Sequence, residues 1–119
     1  MVPQTDLPDD EKKVARSLLA ALGLFKELRK TMPLQYVTAF LQVARQEGLG
    51  VTEYAERAGV SVSVMSRHLL DIGERNRRMD EGFGLVKYRA SPLELRKHEY
   101  TLTPMGRSLM KKLVSAISK

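Results

Sequence analysis

Residues 51–70, with the sequence VTEYAERAGVSVSVMSRHLL, constrain the fold more than any other stretch of the chain. A short helix is predicted over residues 53–58, with Thr52 as its N-cap, because threonine is a favourable capping residue. Gly59 then allows a tight turn, and Ser61 can cap a second helix. Two helices joined by so short a glycine turn pack at a steep angle, which predicts a helix-turn-helix.

The second helix of this pair, the recognition helix, has an apolar and a polar face. Met65 and Leu69 have the spacing of a buried stripe. Six mainly small and polar residues are expected on the outer face: Ser61, Ser63, Val64, Ser66, Arg67 and His68. Small residues allow close approach to DNA, and arginine can donate two hydrogen bonds to guanine. The pattern favours a helix that enters the major groove, although an ordinary helical hairpin with a hydroxyl-rich surface would share it.

Further helices and a hairpin are predicted around this motif. Apolar spacing predicts an amphipathic helix from residue 9 to about residue 30 and another from Pro33 to about Gly48. Residues 85–90 and 98–102 read as two strands, and a last helix follows from residue 103. The predicted fold class is mainly α with a small β-hairpin, which is the plan of a winged helix-turn-helix.

Basic residues are concentrated in the second part of the chain. Residues 1–50 carry seven basic and six acidic residues, whereas residues 51–119 carry thirteen basic and eight acidic residues. The excess of positive charge in the second part favours a polyanion-binding face. The hairpin tip and the segment before the hairpin contribute six of these cations: Arg89, Arg96, Lys97, Arg75, Arg77 and Arg78. An arginine at a hairpin tip can enter the minor groove of DNA. The three arginines before the hairpin could contact phosphates or pair with the acidic residues among them.

Groups suited to catalysis or metal binding are scarce. The chain has no cysteine, and its two histidines, His68 and His98, have no further ligand at a useful spacing. Neither an enzyme nor a cofactor is therefore expected.

No apolar run approaches the roughly 20 residues of a membrane span, so a cytoplasmic protein is expected. Tyr36 and Tyr54 are expected to pack with their hydroxyls in water.

Two apolar stripes are longer than a small helical core with a hairpin can cover. One runs from Val14 to Leu28 in the first helix, and the other runs from Leu109 to Ile117 in the last. Exposed stripes of this kind favour an interface, here a homodimer, although the two helices could also pack on each other within one chain. A two-fold dimer would set its recognition helices about one DNA turn, on the order of 34 Å, apart.

Four short motifs follow one another in a fixed order. They are Pro33-Leu34-Gln35-Tyr36, Gly59-Val60-Ser61 with Ser63-Val64-Met65-Ser66-Arg67, Gly84-Leu85-Val86, and Leu102-Thr103-Pro104-Met105-Gly106. Together they resemble the MarR family of winged-helix transcriptional regulators, over roughly two-thirds of the chain. The resemblance implies a homodimer, held by its first and last helices, that binds double-stranded DNA at a pseudo-palindromic operator. It places the recognition positions at Ser61, Ser63, Ser66 and Arg67.

The predicted elements divide the chain in a simple way. Residues 1–8 are expected to form an N-terminal arm and residues 9–119 a single winged helix-turn-helix domain. Within that domain, residues 33–103 would be the DNA-binding core. Residues 9–31 and 104–118 would be the dimerisation helices.

The sequence departs from the family pattern in three places. Glu94-Leu95-Arg96-Lys97 stands where the family has Asp-x-Arg in its hairpin, so Glu94 would orient Arg96. Extra residues, including three arginines, lie between the recognition helix and Gly84. The chain is also shorter at its C-terminus, and the sequence gives no support for a small-molecule effector.

A transcriptional repressor is the function that these observations favour. Two other functions stay open at this point. A plasmid or phage protein that binds DNA in replication, partition or excision would carry the same motifs. A winged-helix module that binds another protein would also fit.

Overall fold

The structure, a computed structural model, describes residues 7–74, 82–90 and 98–118. These residues form helices and one two-stranded antiparallel hairpin, in the order α1 (Asp9–Leu28), α2 (Leu34–Arg45), α3 (Val51–Ala58), α4 (Val62–Asp71), β1 (Val86–Ala90), β2 (His98–Leu102) and α5 (Pro104–Ser118). The order confirms the predicted winged helix-turn-helix, in which α4 is the recognition helix and the hairpin is the wing.

The centre of the core lies where α2, α3 and α4 meet the root of the wing. The largest fully buried side chains are Tyr54, Phe40, Met65, Leu69, Ile72, Leu85, Val43 and Val86. Met65 and Leu69 are therefore buried, as their spacing predicts. Full burial of an aliphatic side chain contributes about 1.5–3 kcal/mol. Burial of Met65 and Leu69 therefore determines which side of α4 faces solvent.

The turn between α3 and α4 depends on Gly59. Its φ of +71° lies in the left-handed region, which glycine adopts without steric cost. The Gly59 N–H donates to the Glu56 carbonyl at 3.2 Å, and the Val60 N–H donates to the Ala55 carbonyl at 3.1 Å. This pair of bonds closes the end of α3 and turns the chain directly into α4.

The start of α3 differs from the prediction. The helix begins at Val51 and its N-cap is Gly50, so Thr52 lies within the helix and is exposed. The Gly50 N–H donates to Oε2 of Glu53 at 3.2 Å. The glutamate carboxylate therefore satisfies a donor at the start of the helix, and a threonine cap is not needed.

The first two helices end before the predicted positions. α1 ends at Leu28, and Arg29 is extended, with φ of −159°. α2 ends at Arg45, and the Gln46 carbonyl accepts the hydroxyl of a buried tyrosine, Tyr54, at 2.7 Å. At the end of α2 a side-chain contact thus replaces the last turn that local periodicity predicts.

Helices α1 and α5 pack against each other. Ala21 and Phe25 of α1 are buried, as are Leu109 and Leu113 of α5. Packing within one chain thus covers part of both apolar stripes. It leaves other members exposed, and the principal dimensions of 64 × 26 × 24 Å describe an elongated body.

The wing is anchored on two sides. Along the outer edge of β2, the Gly48 N–H donates to the Tyr100 carbonyl at 2.8 Å, and the Tyr100 N–H donates to the Leu49 carbonyl at 3.0 Å. At the root of β1, the Leu85 N–H donates to the Ile72 carbonyl at 2.9 Å, just beyond α4. These backbone bonds hold the wing and the recognition helix in one fixed arrangement.

Candidate nucleic-acid interface

The outer face of α4 is largely exposed. Ser61, Ser63, Ser66 and Arg67 are at the surface, while Val64 is half-buried. The buried side chains of the same helix, Met65 and Leu69, point to the opposite side and keep this face turned outward. The face therefore presents hydroxyl groups and one guanidinium, all of which can hydrogen-bond to base edges or phosphates.

Ser61 begins the recognition helix as predicted. Its Oγ accepts a hydrogen bond from the Val64 N–H at 3.2 Å and lies 3.2 Å from Oγ of Ser63. The cap satisfies one of the free amides of the first turn. The remaining amides at this end are suited to an anion such as a phosphate.

His68 lies differently from the other residues of this face. It is half-buried, and its ring packs edge-to-face on Tyr36 of α2, with 5.6 Å between ring centroids and an angle of 73°. The prediction grouped His68 with the outer residues because helical spacing alone puts it next to Arg67. Its contact with α2 turns it toward the protein.

The two tyrosines that were expected to have hydrated hydroxyls both use them inside the protein. Tyr36 donates to Oδ2 of Asp71 at 2.7 Å. Tyr54 is fully buried and donates to the Gln46 carbonyl, and its oxygen accepts the Leu49 N–H at 3.3 Å. The expectation of water contact was wrong for Tyr54, and for neither tyrosine did the spacing predict its hydrogen-bond partner within the protein.

Burial raises the pKa of the Tyr54 hydroxyl above its usual value, because the charged form would lose its hydration. The Leu49 N–H opposes the rise in pKa, and the negative charge of Glu47 adds to it. Burial also raises the pKa of Tyr100, with a smaller contribution from Tyr88. Both hydroxyls therefore stay neutral at physiological pH; that of Tyr54 is a hydrogen-bonding group, and the ring of Tyr100 packs on Tyr54 and Tyr88.

On the wing, Arg89 is exposed and faces Glu99 across the strand pair. Its Nε lies 3.6 Å from Oε2 of Glu99. An exposed pair of this kind contributes little to stability, so the guanidinium can exchange its carboxylate for a phosphate. The other five predicted cations, Arg75, Arg77, Arg78, Arg96 and Lys97, lie outside the described residues.

An aromatic cluster on the wing was not predicted as part of the site. Tyr88 is 57% exposed, and its ring lies 4.7 Å from that of His98 and 5.8 Å from that of Tyr100, between centroids. Tyr88 and Tyr100 also line a groove of about 520 Å³ between β1 and α4. Tyr88 lies on the same side of β1 as the buried Val86, and its exposure shows that this side reaches solvent toward the tip.

Other kinds of site find no support in the described parts of the chain. Within residues 7–74, 82–90 and 98–118, no three histidine or acidic side chains are grouped as metal ligands. No helix in the same ranges is both long and apolar enough to cross a membrane.

Comparison with known proteins identifies the fold. No protein-family model matches the chain, and no curated protein sequence matches it. Solved structures do match: a MarR-family transcription regulator superposes with a TM-score of 0.59 at 20% identity, over 89% of this chain and 67% of its own. The fold is that of MarR-family winged-helix regulators. The resemblance carried by the four sequence motifs is thereby confirmed for the fold.

Two further structures have the same MarR-like fold. YusO from Bacillus subtilis superposes with a TM-score of 0.61 at 15% identity, over 91% of this chain and 70% of its own. The transcriptional repressor CouR, solved with a 23-mer DNA duplex, superposes with a TM-score of 0.54 at 20% identity, over 92% of this chain and 70% of its own. Identities this low establish a common architecture, within which the site must be argued from its own residues.

Proposed function

We propose that this chain is a sequence-specific DNA-binding protein that regulates transcription as a homodimer, acting as a repressor at a pseudo-palindromic operator. The observation that carries the proposal is the outer face of α4, where Ser63, Ser66 and Arg67 are exposed beside the wing. The net charge of +6 favours a polyanionic partner. The MarR-like repressor CouR, which is bound to a DNA duplex, gives further support.

In the proposed complex, α4 lies in the major groove. Arg67 would donate two hydrogen bonds to a guanine, and Ser63 and Ser66 would contact base edges or phosphates. Ser61 and the first amides of α4 would bind a phosphate. Arg96, which lies between the two strands in sequence, is proposed as a minor-groove contact, with Arg75, Arg77, Arg78, Arg89 and Lys97 as phosphate contacts.

The proposed dimer uses the apolar side chains that α1 and α5 leave exposed. Val14, Leu18 and Leu22 are 58%, 53% and 41% exposed and follow one another at helical spacing on α1. Val114 and Ile117, which are 58% and 53% exposed, form a similar apolar patch on α5. An apolar stripe of this kind is typical of an interface. Residues 9–31 and 104–118 are thus proposed as dimerisation helices around a DNA-binding core of residues 33–103.

The experiment that tests DNA binding is an equilibrium titration of a labelled random-sequence duplex over a series of salt concentrations. We expect affinity to fall steeply with salt, with a logarithmic slope of about −0.9 for each phosphate neutralised. Failure to bind at low salt would contradict the proposal and favour a module that binds another protein.

The arrangement of preferred sites then separates the regulatory roles. Sites are selected from a random duplex library and mapped by footprinting. One inverted repeat, with half-sites about 10 base pairs apart between centres, is expected for a two-fold dimer at an operator. An array of tandem repeats would favour the role in replication or partition instead.

A further inference from the structure

Tyr36 of α2 contacts the recognition helix at two points. Its hydroxyl donates to Oδ2 of Asp71 at 2.7 Å, and its ring packs edge-to-face on His68. His68 and Asp71 are three residues apart in α4, so they lie on the same side of that helix. A single residue of α2 therefore contacts two successive turns of the recognition helix.

The position of Asp71 is unfavourable for an isolated helix. It is the last residue of α4 and only 8% exposed. A carboxylate at the C-terminus of a helix opposes the helix dipole, and burial removes its hydration. The hydroxyl of Tyr36 offsets part of that cost. The stability of α4 alone thus does not explain an aspartate at position 71. A fixed contact between α2 and α4, made by the Tyr36–Asp71 hydrogen bond, does explain it.

The contact restricts rotation of α4 about its own axis. In an α-helix a rotation of about 20° moves an atom about 6 Å from the axis by roughly 2 Å. A hydrogen-bonded site loses its function when groups are displaced by more than about 0.5 Å. Arg67 directly precedes His68 in α4. The helix rotation that Tyr36 fixes through His68 therefore also sets the direction in which the Arg67 side chain leaves the helix.

The same ring of Tyr36 reaches the root of the wing. It packs edge-to-face on Phe83, with 5.8 Å between centroids, and the guanidinium carbon of Arg29 lies 4.8 Å from the centroid of Phe83. The Phe83 N–H also donates to the carbonyl of Asp71 at 3.3 Å. Tyr36 thus contacts both the recognition helix and Phe83 at the wing root, and Phe83 in turn contacts Arg29, the residue that follows α1.

We infer that Tyr36 is a positioning residue for DNA recognition: through Asp71 and His68 it holds α4 at the rotation in which Ser63 and Arg67 can read base edges. The inference rests on the proposed function, and it adds a residue that contacts no DNA itself. It is distinct from a general role in stability, because discrimination between DNA sequences depends on the rotation of α4.

The test compares Tyr36→Phe with a matched variant, Tyr54→Phe. Each removes one tyrosine hydroxyl that donates at 2.7 Å, but Tyr54 donates to the Gln46 carbonyl, away from α4. The first readout is native-state amide hydrogen exchange and amide chemical shifts of residues 62–71 in the free protein. Tyr36→Phe is expected to change these signals and to speed exchange in α4. Tyr54→Phe is expected to leave them as in the wild type.

The second readout is the ratio of affinities for a duplex selected by the wild-type protein and a scrambled duplex of the same composition. Tyr36→Phe is expected to lower this ratio about tenfold, which corresponds to about 1.4 kcal/mol. Asp71→Ala is expected to lower it similarly. Asp71→Asn keeps an acceptor oxygen and is expected to retain most of the discrimination, as is Tyr54→Phe.

Two results would overturn the inference. One is an unchanged set of α4 amide signals in Tyr36→Phe. The other is a loss of affinity that is equal for both duplexes and follows the fall in melting temperature. If the wild-type protein selects no duplex, the proposed function fails, and the amide readout on the free protein still decides the role of Tyr36.

Discussion

Gly106, in the first turn of α5, lies against the carbonyl oxygen of Leu85, so closely that a Cβ at position 106 would overlap that oxygen. The same carbonyl accepts the Thr103 N–H at 3.0 Å. The hydroxyl of Thr103 accepts the Gly106 N–H at 3.0 Å and donates to the Gly84 carbonyl. The start of α5 and the root of the wing are therefore in direct backbone contact, and only glycine allows that approach.

Replacing Gly106 by alanine is expected to lower the free energy of unfolding by about 1–3 kcal/mol, because the methyl group forces backbone apart in a packed region. Urea unfolding measures the change. Gly23→Ala is the control, since nothing lies within 4 Å of a Cβ built there in the middle of α1. It is expected to raise stability by about 0.5–1 kcal/mol, because alanine favours a helix interior. An equal effect of both changes would contradict the close approach.

Glu47 joins the end of α2 to the wing and to α5. Its Oε1 accepts the Leu102 N–H and the Arg107 guanidinium, each at 2.8 Å. Glu47→Ala is expected to cost about 1–3 kcal/mol, because a half-buried amide of β2 loses its acceptor. Arg107→Ala removes only an exposed ion pair and is expected to cost at most about 1 kcal/mol. Thermal unfolding of the two variants measures the difference in stability, which would vanish if the ion pair dominated, because both variants lose it.

The raised pKa of Tyr54 predicts a loss of stability in alkali. The folded protein keeps this proton more tightly than the unfolded chain, whose tyrosines titrate near pH 10. The stabilisation is therefore complete below about pH 10 and is lost as pH rises through the higher pKa of the folded state. Unfolding free energies measured from pH 8 to 11 should fall less steeply in Tyr54→Phe than in the wild type. A smaller slope remains in that variant, because burial also raises the pKa of Tyr100.

Arg67→Ala is expected to weaken binding to a selected operator by about 1–3 kcal/mol and to relax base preference at one position of each half-site. Fluorescence anisotropy with a panel of single-base variants measures both effects. Arg57→Ala removes the same charge from the exposed surface of α3 and serves as the control. An equal loss on every sequence would make Arg67 a phosphate contact rather than a base contact.

Leu18→Glu is expected to convert the proposed dimer to a monomer, because it places a charge in the middle of the exposed stripe of α1. Sedimentation equilibrium gives the molar mass directly. Thr52→Glu adds the same charge to the exposed side of α3 and should remain dimeric. A wild-type chain that is monomeric at all concentrations would remove the dimer from the proposal.

The sequence predicts the elements whose signals are local. The spacing of Met65 and Leu69 predicts the buried side of α4, and the cap at Ser61 follows from its position after Gly59. The start of α3 could not be obtained in this way. Its N-cap is Gly50, whose N–H bonds to the Glu53 carboxylate, and residues 48–49 just before it bond to Tyr100 of β2, far along the chain.

The same distinction holds for the candidate site. Exposure of Ser63 and Arg67 follows from helical spacing alone. The inward orientation of His68 and the bond from Tyr36 to Asp71 do not, because the two bonded residues are 35 positions apart. Periodicity describes which face of one helix is apolar, whereas such contacts depend on how two helices are placed relative to each other.

The backbone bonds along β2 also affect how the protein behaves at high concentration. A hairpin with free edges is a template on which other chains can add strands and aggregate. At Tyr100 that edge is already occupied by residues 48–49 of the same chain. The other strand, β1, carries the exposed cations Lys87 and Arg89, and such charges oppose stacking of like strands. The arrangement that holds the wing beside α4 therefore also protects it against amyloid-like association.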